Sequence, residues 1–333
     1  MYTFSDESGR FEEGINSDIG IIVIVSLPDS ALKKFIDFLI SSFGERAYQL
    51  KGSSLIFSDR EKIIKYIGNH PEIKFSAFLY DHKATSATAI EDHHVRQIKK
   101  ANETIENLKP IARYPTLVPS IELARNQLRK LSTAEYLKIV MNTIAFQSWQ
   151  KFFLFDFINV PLERDPWEFH HILDMQNQRM TFPSLVYFLL MGSSNRLVPE
   201  PPTINFPKEW GSAHPFMTFY KGHEENNNTD DFLDMKKFYS DFKCGDDKKE
   251  LGLKLPDIIS NTLFRSITHP NDKAFLKLLK RLWPNRSVIH KTDRKESRYY
   301  QVIIFPSEEV KPFASDIIQT HWRNLSSILP HGS

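Results

Sequence analysis

Three aspartates of this chain occupy positions from which a carboxylate can act on a metal ion or a substrate. Asp6 and Asp174 each end an apolar run that predicts a strand, and Asp257 follows Pro256 in the first turn of a predicted helix. The dipole and the free N–H groups of a first turn stabilise an ionised carboxylate. If the two strands are parallel neighbours and the helix packs on them, the three carboxylates meet at one edge of the sheet. Oxygen clusters of this kind bind Mg²⁺ or Mn²⁺ and activate water for attack on phosphate.

Each of these aspartates also has an ordinary structural explanation. Asp6 stands just before Ser8-Gly9, where the chain is expected to turn and where a solvated carboxylate is common. Asp174 is equally well explained as a turn residue, and Asp257 as a plain helix cap. The residues alone leave both explanations open, because the chemistry depends on whether the fold brings the side chains together.

The order of the elements around these residues predicts an α/β fold. Alternation puts Tyr2, Phe4 and Asp6 on one face of an opening strand, and the β-branched run Ile19–Ser26 predicts a strand buried on both faces. The periodicity predicts further elements along the chain. They are helices at 30–42, 59–67, 182–191, 255–267, 275–283 and 307–325, and strands or extended segments at 48–54, 73–80, 167–173, within 232–242 and at 298–305.

Two insertions and a carboxy-terminal extension are predicted around one domain at 1–270. A helical insertion covers about 85–157, with two helices meeting near Ser132-Thr133, and its apolar stripe is expected to be core. A loop insertion rich in Pro, Gly and Asn covers about 199–231. Residues 271–333 are expected to form a basic extension packed on the same domain.

The composition is that of a protein with a large, aromatic-rich core. Of 333 residues, 41% are hydrophobic and 25% are charged, with 26 Phe, 11 Tyr and 5 Trp. No apolar run reaches the roughly 20 residues that span a bilayer, and the chain opens directly into a strand without an apolar leader. A cytoplasmic location and no membrane partner are therefore expected. Cys244 is the single cysteine, which excludes an intrachain disulfide and a Cys-based zinc site.

Nucleic-acid binding would have to come from a local patch, because the formal net charge is only +2. The densest basic segment follows residue 270 and has aromatic residues nearby for base stacking. Its predicted nucleic-acid contacts are Lys277, Lys280, Arg281, Lys291 and Arg294. The alternative is a solvated helix face.

Other chemistries find little support in the sequence. The pairs His93-His94 and His170-His171 lack the i, i+4 spacing that puts two imidazoles on one helix face for zinc. No base is designated for Cys244 as a nucleophile. The chain contains no Gly-rich phosphate-binding loop, which argues against nucleotide-hydrolysing and dinucleotide-binding classes.

Three segments together resemble a known family. They are Phe4–Gly9, which contains Asp-Glu-Ser-Gly, then Gln49–Ser53, and then Asp246–Ile259, which contains Gly-Leu-Lys-Leu-Pro-Asp. In this order they resemble the bacterial domain-of-unknown-function 3800 family. The resemblance covers most of the chain, from Tyr2 to about Arg265.

The family looks like a ribonuclease H-like fold. The resemblance therefore implies a mixed sheet flanked by helices, with acidic metal ligands on the first strand, a later strand and a late helix. Asp6, Asp174 and Asp257 fall on those three elements, and Lys51 would contact a phosphate of the substrate.

The chain departs from the family pattern at two positions. Where the family tends to have Glu, this chain has Gln49, and a neutral carbonyl there would lower the affinity for a divalent cation if the position is a ligand. Glu7 and Glu45 are carboxylates that could substitute. Pro256 replaces the usual Ala, which a first-turn position tolerates.

The predicted function is metal-dependent phosphodiester hydrolysis of nucleic acid, DNA or RNA, with Mg²⁺ or Mn²⁺ as cofactor. The resemblance implies a setting in bacterial defence or mobile-element biology. The alternative is a catalytically weak or inactive ribonuclease H-like module that binds nucleic acid or a protein partner, with a homo-oligomer as a further option. The Gln49 departure favours the alternative, and the intact surroundings of Asp6 and Asp257 favour the enzyme.

Overall fold

The structure, a computed structural model, describes residues 1–9, 19–81, 87–109, 117–157, 169–174, 220–221, 232–233, 241–269, 272–282 and 285. In these ranges the chain forms an α/β fold in which a mixed sheet of five strands is flanked by helices. The fold class predicted from the sequence is confirmed at this level.

The sheet is built around β1 (Tyr2–Gly9). On one side β1 pairs antiparallel with β2 (Ile19–Leu27), which pairs antiparallel with β3 (Lys74–Asp81). On the other side β1 pairs in parallel with β4 (His170–Asp174), which pairs in parallel with β7 (Asp241–Gly245). The order β3-β2-β1-β4-β7 therefore places β1 in the centre.

Helices cover both faces of this sheet. In chain order they are α1 (Asp29–Phe43), a 3-10 helix (Gly44–Gln49), α2 (Phe57–Gly68), α3 (Ala87–Leu108), α4 (Leu117–Leu128), α5 (Thr133–Phe157), a 3-10 turn (Leu251–Leu253), α6 (Lys254–Thr268) and α7 (Lys273–Leu282). The helices α1, α2, α6 and α7 share one hydrophobic core with the sheet, and α5 contacts β2 and β3. Two short strands, β5 (Tyr220–Lys221) and β6 (Phe232–Leu233), pair with each other apart from the sheet.

Burial of β2 on both faces organises the core, as its β-branched run predicts. The five residues Ile21–Val25 expose at most 1% of their surface. Ile21, Val23 and Val25 belong to the core shared with α1, α2, α6 and α7. The opposite face meets α5, where Trp149 Nε1 donates a hydrogen bond to Ser26 Oγ at 2.7 Å. Because side chains alternate between the two faces of a strand, β2 packs against the helices on both sides of the sheet.

The helical stretch after β3 agrees with the predicted helices. It forms α3, α4 and α5, with a break at 129–132 close to the predicted junction at Ser132-Thr133. Ile139, Phe146 and Trp149 of α5 are buried, as expected for core. None of the described helices combines the length and the apolar character that crossing a bilayer requires.

Several element predictions need correction. Asp6 does not end its strand, because β1 continues to Gly9. The segment 48–54 is not extended: it begins inside the 3-10 helix Gly44–Gln49 and continues into a turn. The helix predicted at 255–267 begins one residue earlier, at Lys254, so Pro256 is the third residue of α6. Within the predicted strand region 232–242, the structure describes β6 and the start of β7, and residues 234–240 lie outside the described part of the chain.

Other predictions lie outside the described residues. They are the helix at 182–191, the strand at 298–305, the helix at 307–325, the basic residues Lys291 and Arg294, and all of the 199–231 insertion except 220–221.

Candidate active site

The two faces of β1 carry different chemistry. Ser8 faces α6, where its Oγ lies 2.8 Å from Ser260 Oγ, and Asp6 shares this face because side chains alternate along a strand. Glu7 faces the other way, towards α5, and Lys138 Nζ donates a hydrogen bond to Glu7 Oε1 at 2.6 Å. The candidate site therefore lies between β1 and α6.

Asp6 and Asp174 sit side by side where the parallel pairing of β1 and β4 ends. The pairing finishes with Ser5 opposite Leu173, and the two aspartates are the next residue of each strand. Asp6 is 9% exposed, and its Oδ1 accepts a hydrogen bond from the Glu7 N–H at 2.7 Å. Towards β4, Asp6 thus lies at the carboxyl end of the paired strands, as predicted. Towards β2, the pairing of β1 continues to Gly9.

Asp257 reaches the same region from the first turn of α6. Its Oδ2 accepts a hydrogen bond from the Gly52 N–H at 2.7 Å. A methyl group on residue 52 would lie 2.6 Å from both the carbonyl oxygen and Oδ1 of Asp257. Only glycine lets the turn at 52–54 approach α6 this closely, which gives a physical reason for glycine in this segment.

The carboxylates of this site repel one another in a buried setting. Burial raises the pKa of Asp6 well above its usual range, and the charges of Asp257, Asp174 and Glu7 raise it further. Burial also raises the pKa of Asp257, against the opposing effect of the Gly52 N–H. Such a group of acidic side chains is costly without a compensating positive charge.

Lys51 supplies a positive charge beside this group of carboxylates. Partial burial lowers the pKa of Lys51, but its hydrogen bond to Asp247 and the charges of Asp247, Asp174 and Asp257 outweigh burial and raise it. Asp247 is 6% exposed and pairs with both Lys51 and the fully buried Lys254. The ammonium group of Lys51 is therefore held beside the carboxylates by an ion pair.

The described residues contain no preformed metal-binding group. In the described part of the chain, no group of three or more His, Cys, Asp or Glu side chains is arranged to hold a metal ion. Asp257 accepts a hydrogen bond from a backbone N–H, and the sharing of one cation by Asp6, Asp174 and Asp257 stays a prediction.

The residues proposed as substitutes do not complete the site. Gln49 ends its 3-10 helix with an exposed side chain, and Glu45 is exposed on the same helix. Glu7 points to the opposite face of β1 and is paired with Lys138. Glu7 contacts Asp6 through its backbone N–H and raises the pKa of Asp6 by its charge, but its carboxylate is held by Lys138 on the other face of the strand.

The histidine pairs have structural contacts. His93 Nδ1 lies 2.7 Å from the hydroxyl of Tyr136, and the ring of His94 stacks on Tyr136 at 4.0 Å. His170 Nδ1 lies 2.5 Å from Asp241 Oδ2, and His171 is buried among aromatic rings of the α5 side. Hydrogen bonds and ring packing therefore give each of the four histidines a structural role.

Cys244 lies on β7 beside the site. Burial, with a smaller contribution from the charge of Asp174, raises the pKa of its thiol to about 11. The thiol is therefore protonated at neutral pH, which is unsuitable for a nucleophile.

The basic helix α7 has one buried and one charged face. Phe275, Leu278, Leu279 and Leu282 are buried, whereas Lys273, Lys277 and Lys280 are exposed. Arg281 differs from these lysines, because its guanidinium donates to Glu61 Oε1 of α2 at 3.0 Å. Of the predicted contacts that the structure describes, Lys277 and Lys280 are thus accessible to a ligand, and Arg281 contributes to helix packing.

Four residues at the site were not predicted from the sequence. Asp247 and Lys254 lie in the segment that resembles the family, as Gly52 does, but nothing in the sequence indicated their contacts. Arg60, a fully buried arginine of α2, donates to the carbonyl of Gly52 and has no motif around it. Their roles depend on contacts between distant parts of the chain.

Comparison of the chain with models of known protein families, with curated proteins and with solved structures found no match. The resemblance to the domain-of-unknown-function 3800 family therefore stays a prediction from the three segments.

Proposed function

We propose that this protein hydrolyses phosphodiester bonds of nucleic acid with the help of a divalent metal ion, Mg²⁺ or Mn²⁺. The observation that carries the proposal is the buried carboxylate of Asp6, whose pKa is raised by burial and by the charges of the half-buried Asp257 and Asp174. They come from β1, β4 and α6, three elements that are far apart in the sequence. A fold keeps like charges together in a buried place where a cation or a reaction requires them.

The donor chemistry suits a hard divalent cation. Mg²⁺ prefers carboxylate oxygens, and it is usually bound by one or two carboxylates together with water and substrate phosphates. Asp6 with Asp257 or Asp174 would supply such a pair, so a three-carboxylate cage is not required. When bound, the metal ion would lower the pKa of a water molecule and neutralise charge on the phosphate.

The protein's own residues have separate tasks in this proposal. Lys51 contacts a non-bridging oxygen of the scissile phosphate and balances its charge. Asp247 orients Lys51, and the buried Lys254 offsets the remaining negative charge of Asp247. Lys277 and Lys280 of α7 contribute contacts to the nucleic-acid backbone.

The finer description of the fold belongs to the same proposal. The resemblance implies a ribonuclease H-like fold with acidic residues on the first strand, a later strand and a late helix. The positions of the three aspartates on β1, β4 and α6 of a mixed sheet support that assignment. A cytoplasmic location likewise stays a prediction.

A second candidate function is a nucleic-acid-binding module without catalysis. Two observations favour it. The ammonium group of Lys51 is already paired with Asp247, and the exposed lysines of α7 need no metal to bind phosphates. In this case the protein would bind DNA or RNA equally well with and without divalent ions.

A cleavage assay on one substitution distinguishes the two functions. Asp6→Asn keeps the size of the side chain and removes one negative charge from the site. Cleavage of single- and double-stranded DNA and RNA is measured with Mg²⁺, with Mn²⁺ and with a chelator, and binding is measured on the same substrates. For the enzyme we expect metal-dependent cleavage by the wild type, its loss in Asp6→Asn, and unchanged or tighter binding by the variant, because a charge that repels phosphate has been removed.

The matched control is Asp37→Asn, which removes the same charge from an exposed position on α1. This variant should cleave like the wild type. Binding without cleavage by the wild type under every metal condition would refute the nuclease and leave the binding module.

A further inference from the structure

Arg60 is the most unusual charged residue of the described chain. It lies on α2, exposes none of its surface, and forms no ion pair with any carboxylate of the described residues. A buried charge without a counter-ion is costly, and a Leu or Met would fill the same volume without that cost. The guanidinium group therefore has a task that an apolar side chain cannot perform.

The contacts of Arg60 show what it holds. One terminal nitrogen donates to Thr262 Oγ1 at 3.0 Å, and the other donates to Asn261 Oδ1 at 3.0 Å and to the carbonyl of Gly52. Thr262 and Asn261 belong to α6, and Gly52 begins the turn after Lys51. The planar fork of the guanidinium thus ties this turn to α6.

Gly52, whose carbonyl Arg60 holds, also leads directly to the candidate site. The N–H of Gly52 donates to Asp257 Oδ2 at 2.7 Å, and its neighbour Lys51 carries the cation beside the carboxylates. A hydrogen bond on one carboxylate oxygen determines where the other oxygen points. Movement of the turn would therefore disturb both Asp257 and Lys51.

We propose that Arg60 is a positioning residue of the site: by holding the Gly52 carbonyl against α6, it orients Asp257 towards the metal ion and Lys51 towards the phosphate. This inference rests on the proposed function. Arg60 itself touches neither metal nor substrate, and it acts through the backbone of Gly52.

The test compares Arg60→Lys with the wild type. Lysine keeps the charge but has a single ammonium group, which cannot span acceptors on α6 and the Gly52 carbonyl together. Loss of an outer-shell contact typically weakens metal binding about 10- to 100-fold, and we expect the Mn²⁺ dissociation constant to rise by that factor in calorimetric titration. Hydrogen exchange of the peptide covering 51–54 should become faster in the same variant without any metal.

Two further variants separate positioning from general stability. Asn285→Ala removes hydrogen bonds from the Asn285 amide to the carbonyls of Ile67, His70 and Ile73 at the far end of α2, so it should lower stability but leave Mn²⁺ affinity unchanged. Thr262→Val removes one acceptor of Arg60 and should weaken Mn²⁺ binding less than Arg60→Lys does.

A double-mutant cycle with Asp257→Asn identifies the path of the effect. If Arg60 acts through Asp257, adding Arg60→Lys to Asp257→Asn will cause little further loss of Mn²⁺ affinity. Losses that multiply would overturn the inference, as would an unchanged affinity in Arg60→Lys. A wild type that binds no Mn²⁺ would instead refute the proposed function, and this inference with it.

Discussion

The buried charge of Asp6 leads to a prediction about stability that requires no knowledge of the substrate. Burial and the charges of Asp257 and Asp174 raise the pKa of Asp6 above its ordinary value of 3.8. A raised pKa in the folded state means that the ionised carboxylate destabilises the fold at neutral pH. Asp6→Asn removes that charge and keeps an oxygen that can accept the Glu7 N–H. We therefore expect the variant to be more stable than the wild type in the presence of a chelator.

The size of this effect can be bounded. An uncompensated buried polar group costs about 1–3 kcal/mol, and a charged one costs more. At about 2.1 cal/mol/K per residue, the 333 residues give an unfolding entropy of about 0.7 kcal/mol/K. The melting temperature of Asp6→Asn should thus exceed that of the wild type by about 1.5–4 °C.

Thermal denaturation followed by circular dichroism measures this difference, with Asp37→Asn as the control that removes an exposed charge. The advantage of Asp6→Asn should shrink as pH falls through the raised pKa of Asp6, because the wild-type carboxyl then becomes neutral in the folded protein. Saturating Mn²⁺ should remove this advantage, and reverse it where it is smaller than about 4 °C: at 100 times the dissociation constant the wild type gains about 2.7 kcal/mol, or about 4 °C, and the variant gains much less. A lower melting temperature for Asp6→Asn in chelator would refute the electrostatic account of this site.

Three further predictions concern other parts of the chain. Replacing Lys277 and Lys280 with Ala should reduce the salt dependence of nucleic-acid binding by about 0.9 in slope per lost phosphate contact; an unchanged slope in anisotropy titrations would show that this face is only solvated. Gly252→Ala should lower the urea midpoint, because the added methyl group would enter the ring of Phe4 and overpacking costs about 1–3 kcal/mol; an unchanged midpoint would contradict tight packing there. Cys244, with a pKa raised to about 11 by burial, should react slowly with iodoacetamide at pH 8 and at the rate of a free thiol in urea.

Local patterns in the sequence predicted the main elements because helices and strands impose short repeats on the residues that are buried. The continuous β-branched run of β2 indicated burial on both faces, and both faces are buried. Alternation predicts that Asp6 and Glu7 lie on opposite faces of β1, and in the structure Glu7 faces α5. These conclusions need only the repeat with which side chains return to one face of an element, and a stretch of about eight residues is enough to show it.

Patterns of this kind could not locate the ends of elements or the exposure of single side chains. Alternation in β1 suggested a stop at Asp6, but pairing with β2 carries the strand on to Gly9. The segment containing Gln49 resembled an extended piece, yet it belongs to a 3-10 helix whose last side chain is exposed. In both cases the outcome depends on neighbouring elements and not on the local residues.

The sequence by itself determined which residues could do chemistry, since carboxylates at strand ends and in a first helical turn can be recognised one segment at a time. Only the tertiary structure decided how they are held. Gly52 and Asp257 are joined by a hydrogen bond across 205 positions of the chain, and Arg60 reaches Thr262 across 202. Contacts of such separation have no periodic signature, because they form only when the whole sheet and its helices have packed, and that packing is what places Lys51 beside the carboxylates.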